Sequence, residues 1–145
     1  MSYHTGSTTT TATVTLTSDV MPGAALSLSK TMTMHKLGVS TGLEEATGLS
    51  AKSFSATSAV AIVEEDEYTD TKASKIYMRN TGSSATTFFY VAKHANAAAA
   101  DTTETIGRLY GGDWMLIPYD GATNITVAPS TTETMTLEYM VFVEN

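Results

Sequence analysis

Alternation of apolar and polar side chains is the clearest pattern in this chain, and it predicts β-strands rather than helices. Segment 134–143 shows it best, because every second residue there is apolar and shares one face of an extended strand. Those residues are Met135, Leu137, Tyr139, Val141 and Val143. Strands are predicted on this basis at 11–17, 24–34, 53–63, 75–80, 86–94, 103–109, 113–118, 124–128 and 134–143.

Turn-forming residues separate these segments, and no helix of ordinary length is predicted. The fold class we expect is therefore all-β: an antiparallel β-sandwich of about 8–9 strands. Long polar connections at 64–74 and 95–102 favour a jelly-roll-like or Greek-key topology over a simple meander. Thr41 and Glu44 fit a capping box and Gly48 a helix end, so 42–47 is predicted as a single helical turn or a surface loop.

Composition adds an N-terminal arm to this picture. The chain has 27 Thr and 14 Ser among 145 residues, and residues 1–11 hold seven of these hydroxyl residues with little apolar area to bury. We therefore divide the chain into an extended arm, 1–11, and a single β-sandwich domain, 12–145. Thr is β-branched and suits the half-buried surface of a sheet, which argues against general disorder.

Charge and cysteine content exclude several classes of function. The chain has no Cys, which removes disulfide scaffolds, thiolate zinc sites and cysteine nucleophiles. Its formal net charge of −7 disfavours nucleic-acid binding, which requires neutralisation of phosphates. No apolar run approaches the length of a membrane helix, and the first residues show no secretory signal, so we expect neither a membrane nor a nucleic-acid partner.

Catalytic and metal chemistry is weakly indicated. None of the three histidines has a second ligand at metal-binding spacing, and we expect no metal and no cofactor. The acidic run 64–67 lacks the glycine of a calcium loop and is better explained as a solvated charged segment. Asp113 and Asp120 are the best carboxylate pair for a glycosidase, but a strand start accounts for Asp113 and a hairpin turn for Asp120, so we expect no enzyme.

Aromatic residues near the same two aspartates offer a different chemistry. Tyr110, Trp114 and Tyr119 fall within ten residues of one another and could form a platform for sugar rings. Aromatic side chains in strands more often belong to a core or an interface. The three residues are therefore retained as candidate partner contacts.

The second half of the chain resembles a known group of proteins. The resemblance covers roughly residues 75–143 and rests on the order of these segments: Lys-Ile-Tyr-Met-Arg-Asn-Thr-Gly at 75–82, Phe-Tyr-Val at 89–91, Ile-Gly-Arg-Leu at 106–109, Gly-Asp-Trp-Met-Leu-Ile-Pro at 112–118 and Met-Thr-Leu-Glu-Tyr-Met-Val-Phe at 135–142. In this order they resemble small structural proteins of tailed-phage virions. Many of those are β-sandwich or jelly-roll proteins, and some decorate or cement the capsid.

This resemblance implies a structural role on the capsid exterior, after synthesis in the host cytoplasm. The expected partners are the major capsid protein, whose subunits the protein would bridge, and further copies of itself in a dimer or trimer. The arm would add backbone pairing to a neighbour's sheet edge, as in β-augmentation. Candidate contacts in the arm are Ser2, Tyr3, His4, Thr5, Thr8, Thr9 and Thr10. A glycan-binding module on a head or tail fibre is the alternative function.

Overall fold

The fold was obtained as a computed structural model, and it describes residues 4–5, 12–18, 26–32, 43, 45–68, 74–93 and 104–143. These residues form twelve strands and one 3₁₀ turn, Glu65–Glu67. The strands are β1 His4–Thr5, β2 Ala12–Ser18, β3 Leu26–Met32, β4 Glu45–Ala46, β5 Ser50–Phe54, β6 Val60–Val63, β7 Ser74–Asn80, β8 Phe88–Lys93, β9 Thr105–Tyr110, β10 Trp114–Tyr119, β11 Ile125–Pro129 and β12 Met135–Val143. Within this described part of the chain, no helix is long and apolar enough to span a bilayer.

Eight of the strands form a jelly roll. In the first sheet the order is β5-β12-β7-β10, and in the second it is β6-β11-β8-β9. The pairing is nested and antiparallel: β5 pairs with β12, β6 with β11, β7 with β10, and β8 with β9. A long hairpin folded over on itself has this pairing, and it is the double Greek key of a jelly roll. The predicted all-β, jelly-roll-like sandwich is confirmed.

The core lies between the two sheets, as the alternation predicts. Met135, Leu137, Val141 and Val143 of β12 are buried, and Tyr139 between them packs against the same cluster. Side chains from the opposite sheet, including Phe89 of β8, complete this core. Burial of each large apolar side chain contributes about 1.5–3 kcal/mol, so the alternating rows are the main source of stability.

One predicted strand is in fact two. Segment 53–63 was expected to be continuous, but β5 ends at Phe54 and β6 begins at Val60, in the other sheet. Ala56, which would share the face of Phe54 in a continuous strand, is exposed in the connection. The alternation continues across the break, so the pattern alone does not mark where the chain crosses between sheets.

The helical turn, one of the two alternatives predicted for 42–47, is not formed at residues 45–47. Glu45–Ala46 is a strand that pairs with Phe142 and Val143 of β12. The backbone N–H of Thr47 donates to the Val141 carbonyl at 2.9 Å, and the Thr47 hydroxyl accepts the Val141 N–H at 3.1 Å. Gly48 then adopts φ = 79°, which is favourable for glycine. The glycine therefore marks an irregularity between two short strands along one edge, β4 and β5.

The N-terminal third contributes two smaller elements. β2 and β3 pair in a two-stranded antiparallel sheet of their own, with Ala12 opposite Met32 and Ser18 opposite Leu26. β1 joins the first sandwich sheet beside β4. The boundary between arm and domain at residue 12 stays a prediction.

Candidate interaction surfaces

The first candidate surface is the sheet edge that carries the arm. His4 pairs with Ala46 and Thr5 with Glu45, so the arm adds a two-residue antiparallel strand beside β4. Such a contact depends on backbone hydrogen bonds, which any extended segment can make. The other arm residues predicted as contacts, Ser2, Tyr3, Thr8, Thr9 and Thr10, lie outside the described residues.

The predicted aromatic residues do not share one surface. Tyr119 is only 6% exposed and belongs to the core between the sheets. Its ring packs edge-to-face on Tyr68, with centroids 6.3 Å apart. Tyr119 is therefore a core residue and not part of an exposed platform for a partner.

Trp114 lies on the outer face of the first sheet, where it is 46% exposed. Its ring centroid is 6.5 Å from that of Tyr77, with an angle of 34° between the planes. Leu116 and Met140, both half-buried, continue this apolar surface across the sheet. We call these four residues the Trp114 surface.

The Trp114 surface runs into a second, small apolar cluster outside the main core. Leu43 and Phe142 are buried there, although Phe142 alternates with the inward-facing residues of β12. In the predicted strands 75–80 and 134–143, the alternation indicates one apolar face only. The signal for the second face was present in the sequence, because Tyr77, Met140 and Phe142 interrupt what would otherwise be polar rows.

Tyr110 belongs to the second sheet, away from Trp114. It lies opposite Phe88 in the β8–β9 ladder, and the two ring centroids are 4.9 Å apart. The guanidinium of Arg108 lies over Phe88 and over Tyr90 on the same ladder. Arg108 was not recognised from the sequence, because its position beside these rings depends on the register of two strands.

A groove of about 320 Å³ lies at the edge where β9 and β10 meet. Its apolar wall is formed by Ile106, Ile117, Pro118, Tyr119 and Ile125. At its rim the Lys93 ammonium donates to Oδ2 of Asp120 at 3.0 Å. This hydrogen bond, together with the backbone N–H of Ala122, lowers the pKa of the Asp120 carboxyl below its ordinary value.

The two aspartates considered for glycosidase chemistry both have structural hydrogen bonds. Oδ2 of Asp113 accepts the backbone N–H of Tyr110 at 3.0 Å in the β9–β10 turn. Asp120 is bound to Lys93 and to the Ala122 N–H. Each carboxylate is thus explained by the turn in which it lies.

The acidic run 64–67 forms a turn that is fixed by hydrogen bonds. The backbone N–H of Glu65 donates to Oδ1 of Asn124 at 2.8 Å, and that of Glu67 donates to the Glu64 carbonyl at 3.1 Å. Glu64 and Glu65 are exposed. Among the residues that the structure describes, no three His, Asp or Glu side chains are placed to hold a metal ion.

Comparison with known proteins adds no relative: no protein-family model matches this sequence, and no curated protein matches it.

Proposed function

We propose that this protein is a structural protein of a tailed-phage virion that decorates the capsid and cements it by bridging major capsid protein subunits. The observation that carries the proposal is a jelly roll with its arm strand on a sheet edge. Jelly rolls are used by viral capsid proteins, and also by lectins and cupins. The resemblance of residues 75–143 to small virion proteins favours the first of these uses.

The edge position of the arm supplies a physical mechanism for bridging. β1 is bound to β4 through only two residue pairs, His4 with Ala46 and Thr5 with Glu45. Because the contact is so short, little free energy is lost when β1 leaves β4 and pairs instead with an equivalent sheet edge on a neighbouring subunit. In this proposal the jelly roll is the rigid body and residues 1–11 are the bridging segment.

The test is binding to capsids of a tailed phage that encodes this chain. The capsids are used in their expanded form and are prepared without the protein. Wild-type protein is expected to co-sediment with these capsids and to raise their melting temperature. Replacing His4 and Thr5 by proline removes two backbone N–H donors and should weaken binding by about tenfold or more. The matched control replaces the same two residues by alanine, which keeps both donors and should bind like wild type.

Absence of co-sedimentation by the wild-type protein would refute the capsid role. Equal binding by the proline and alanine variants would refute bridging by the arm. Circular dichroism of each variant verifies that the jelly roll is retained.

A glycan-binding module on a head or tail fibre is the second candidate, favoured by the Trp114 surface. An exposed indole beside Tyr77 presents an apolar ring face, which is the kind of surface on which a sugar ring stacks. A glycan array with wild type and Trp114→Ala separates the candidates. Binding that is lost in the variant would support this second function, whereas an array without signal would exclude it for the glycans displayed.

A further inference from the structure

A cluster on the second sheet holds an arginine flat against aromatic rings. The cluster, here called the Arg108 patch, consists of Phe88, Tyr90, Arg108 and Tyr110. Cζ of Arg108 is 4.8 Å from the centroid of the Phe88 ring and 5.3 Å from that of Tyr90. The two rings contact each other edge-to-face at 4.9 Å, and Tyr110 packs on Phe88 at the same distance.

Strand register assembles this patch. Tyr90 is directly opposite Arg108, and Phe88 is directly opposite Tyr110. Cross-strand neighbours on one face are close enough for long side chains to interact. Stacking on two rings therefore restricts the Arg108 side chain before any partner arrives, which lowers the entropic cost of binding.

The exposed guanidinium of Arg108 has no carboxylate within 4.0 Å among the residues that the structure describes. Two other described basic side chains do have a carboxylate partner: Arg79 lies 4.0 Å from Glu138, and Lys93 lies 3.0 Å from Asp120. The chain has 15 acidic and 8 basic residues, so carboxylates are plentiful. A stacked, exposed guanidinium is suited to bind a carboxylate with two hydrogen bonds.

Suitable carboxylates lie at the opposite edge of the same sheet. Glu64, Glu65 and Glu67 directly follow β6, and the hydrogen bond from Glu65 N–H to Asn124 fixes their turn. We call these three residues the acidic turn. The order β6-β11-β8-β9 separates the two edges by three strand spacings, about 14 Å. The acidic turn and Arg108 therefore cannot meet within one molecule.

We propose that the Arg108 patch binds the acidic turn of a second copy of this chain, in a head-to-tail contact. Complementary charges at opposite edges of one sheet produce a heterologous interface, and such interfaces close into rings when the rotation permits. Tyr and Arg are enriched at the energetic centres of protein interfaces, which agrees with the composition of the patch. The contact goes beyond the proposed function, because it specifies how copies of this chain associate with one another and requires no capsid.

The experiment is sedimentation equilibrium of the purified full chain at about 50 mM and about 500 mM NaCl. Wild type is expected to form an oligomer that weakens at the higher salt concentration. Arg108→Glu, and separately the double variant Glu64→Arg with Glu65→Arg, should each weaken association by about tenfold or more. An equimolar mixture of the two variants should associate again, because each face of one then meets an oppositely charged face of the other.

Arg79→Glu is the matched control, since it reverses an exposed arginine of the other sheet that already faces Glu138. It should leave the association constant unchanged. A monomeric wild type would overturn the proposal, as would charge-reversal variants that associate like wild type or a mixture that does not associate. Thermal unfolding of each variant verifies that the fold is retained. Capsid binding without self-association would overturn only this contact, and self-association without capsid binding would overturn only the capsid role.

Discussion

The side-chain amide of Asn80 donates a hydrogen bond to the carbonyl of Leu109 at 3.0 Å, and this bond joins the two sheets of the jelly roll. Asn80 ends β7 in the first sheet, while Leu109 lies in β9 of the second. Its Oδ1 also accepts the N–H of Gly82 at 3.0 Å, so both ends of the amide are used. Asn80 is one of three buried polar residues in the part of the chain whose burial is described, and its hydrogen bonds compensate for its burial.

Loss of this amide should destabilise the fold. Asn80→Ala leaves the Leu109 carbonyl without its donor and is expected to lower the free energy of unfolding by about 1–3 kcal/mol. Asn80→Asp should lower the free energy of unfolding further at pH 7, because it places a carboxylate against the Leu109 carbonyl. Urea unfolding measures both. The neighbouring exposed residue provides the control: Arg79→Ala should change stability by about 0.5 kcal/mol or less. Equal stability of Asn80→Asp and wild type would contradict this role.

The glycine at the β9–β10 turn is expected to tolerate no side chain. A Cβ on Gly111 would lie 2.4 Å from the backbone nitrogen of Ser84, and backbone atoms have little room to move away. Gly111→Ala should therefore lower the free energy of unfolding by about 1–3 kcal/mol.

Gly107, four residues earlier, is the matched control for that substitution. A Cβ at Gly107 meets no atom within 4 Å, so Gly107→Ala should be neutral or slightly stabilising. Thermal melts of the two variants under identical conditions make the comparison, and a similar loss in both would show that the close approach to Ser84 is unimportant.

The pair Lys93 and Asp120 predicts a small dependence of stability on pH. Because the hydrogen bond from Lys93 lowers the pKa of Asp120 in the folded protein, the pair stabilises the fold above the unfolded pKa of about 3.9. This contribution is lost as the pH falls through the lower, folded pKa. Both side chains are largely exposed, so we expect the ion pair to contribute under about 1 kcal/mol to the free energy of unfolding.

Asp120→Asn should thus be slightly less stable than wild type at pH 7 and equal to it in acid. Urea unfolding of both proteins between pH 7 and pH 2 measures this difference. Lys93→Met should lower the free energy of unfolding by the same amount at pH 7, and the double variant should lower it by no more than either single variant. A difference that persists unchanged in acid would mean that the ion pair is not its source.

Lys52 is predicted to protect an exposed sheet edge. It shares its face of β5 with the core residue Phe54, and its Nζ lies 5.9 Å from that ring. In the described part of the chain, β5 pairs only with β12, so its other edge is open. An inward-facing charge on an edge strand is a common barrier to pairing between molecules.

Lys52→Val should therefore retain the fold and increase aggregation at high protein concentration. Light scattering during incubation measures this, and Lys52→Arg is the control that keeps the charge. If both variants remain as dispersed as wild type, the edge is protected by something other than Lys52.

Local alternation establishes which residues of a strand share one face, and for β12 the predicted row, Met135 to Val143, does contribute to the core. The turn residue Asp120 is also predicted in the right place, because its chemistry acts over two or three residues. For the candidate surfaces, sequence reasoning identified Trp114 and Tyr110 as notable side chains. It could not separate them from the buried Tyr119, since an aromatic residue on a strand fits a core and a surface equally well.

Only the tertiary structure decides which strands are neighbours. Ser53 and Thr136 are joined by a hydrogen bond across 83 positions, and nothing in the two-residue period of either strand specifies that partner. The crossing between sheets after Phe54 and the stacking of Arg108 on Tyr90 have the same origin. Periodicity is a local property that assigns a side chain to a face, whereas pairing depends on how all eight strands can bury their apolar faces together. The sequence therefore predicts the faces of the sheets, and the nested pairing determines the surfaces that those faces form.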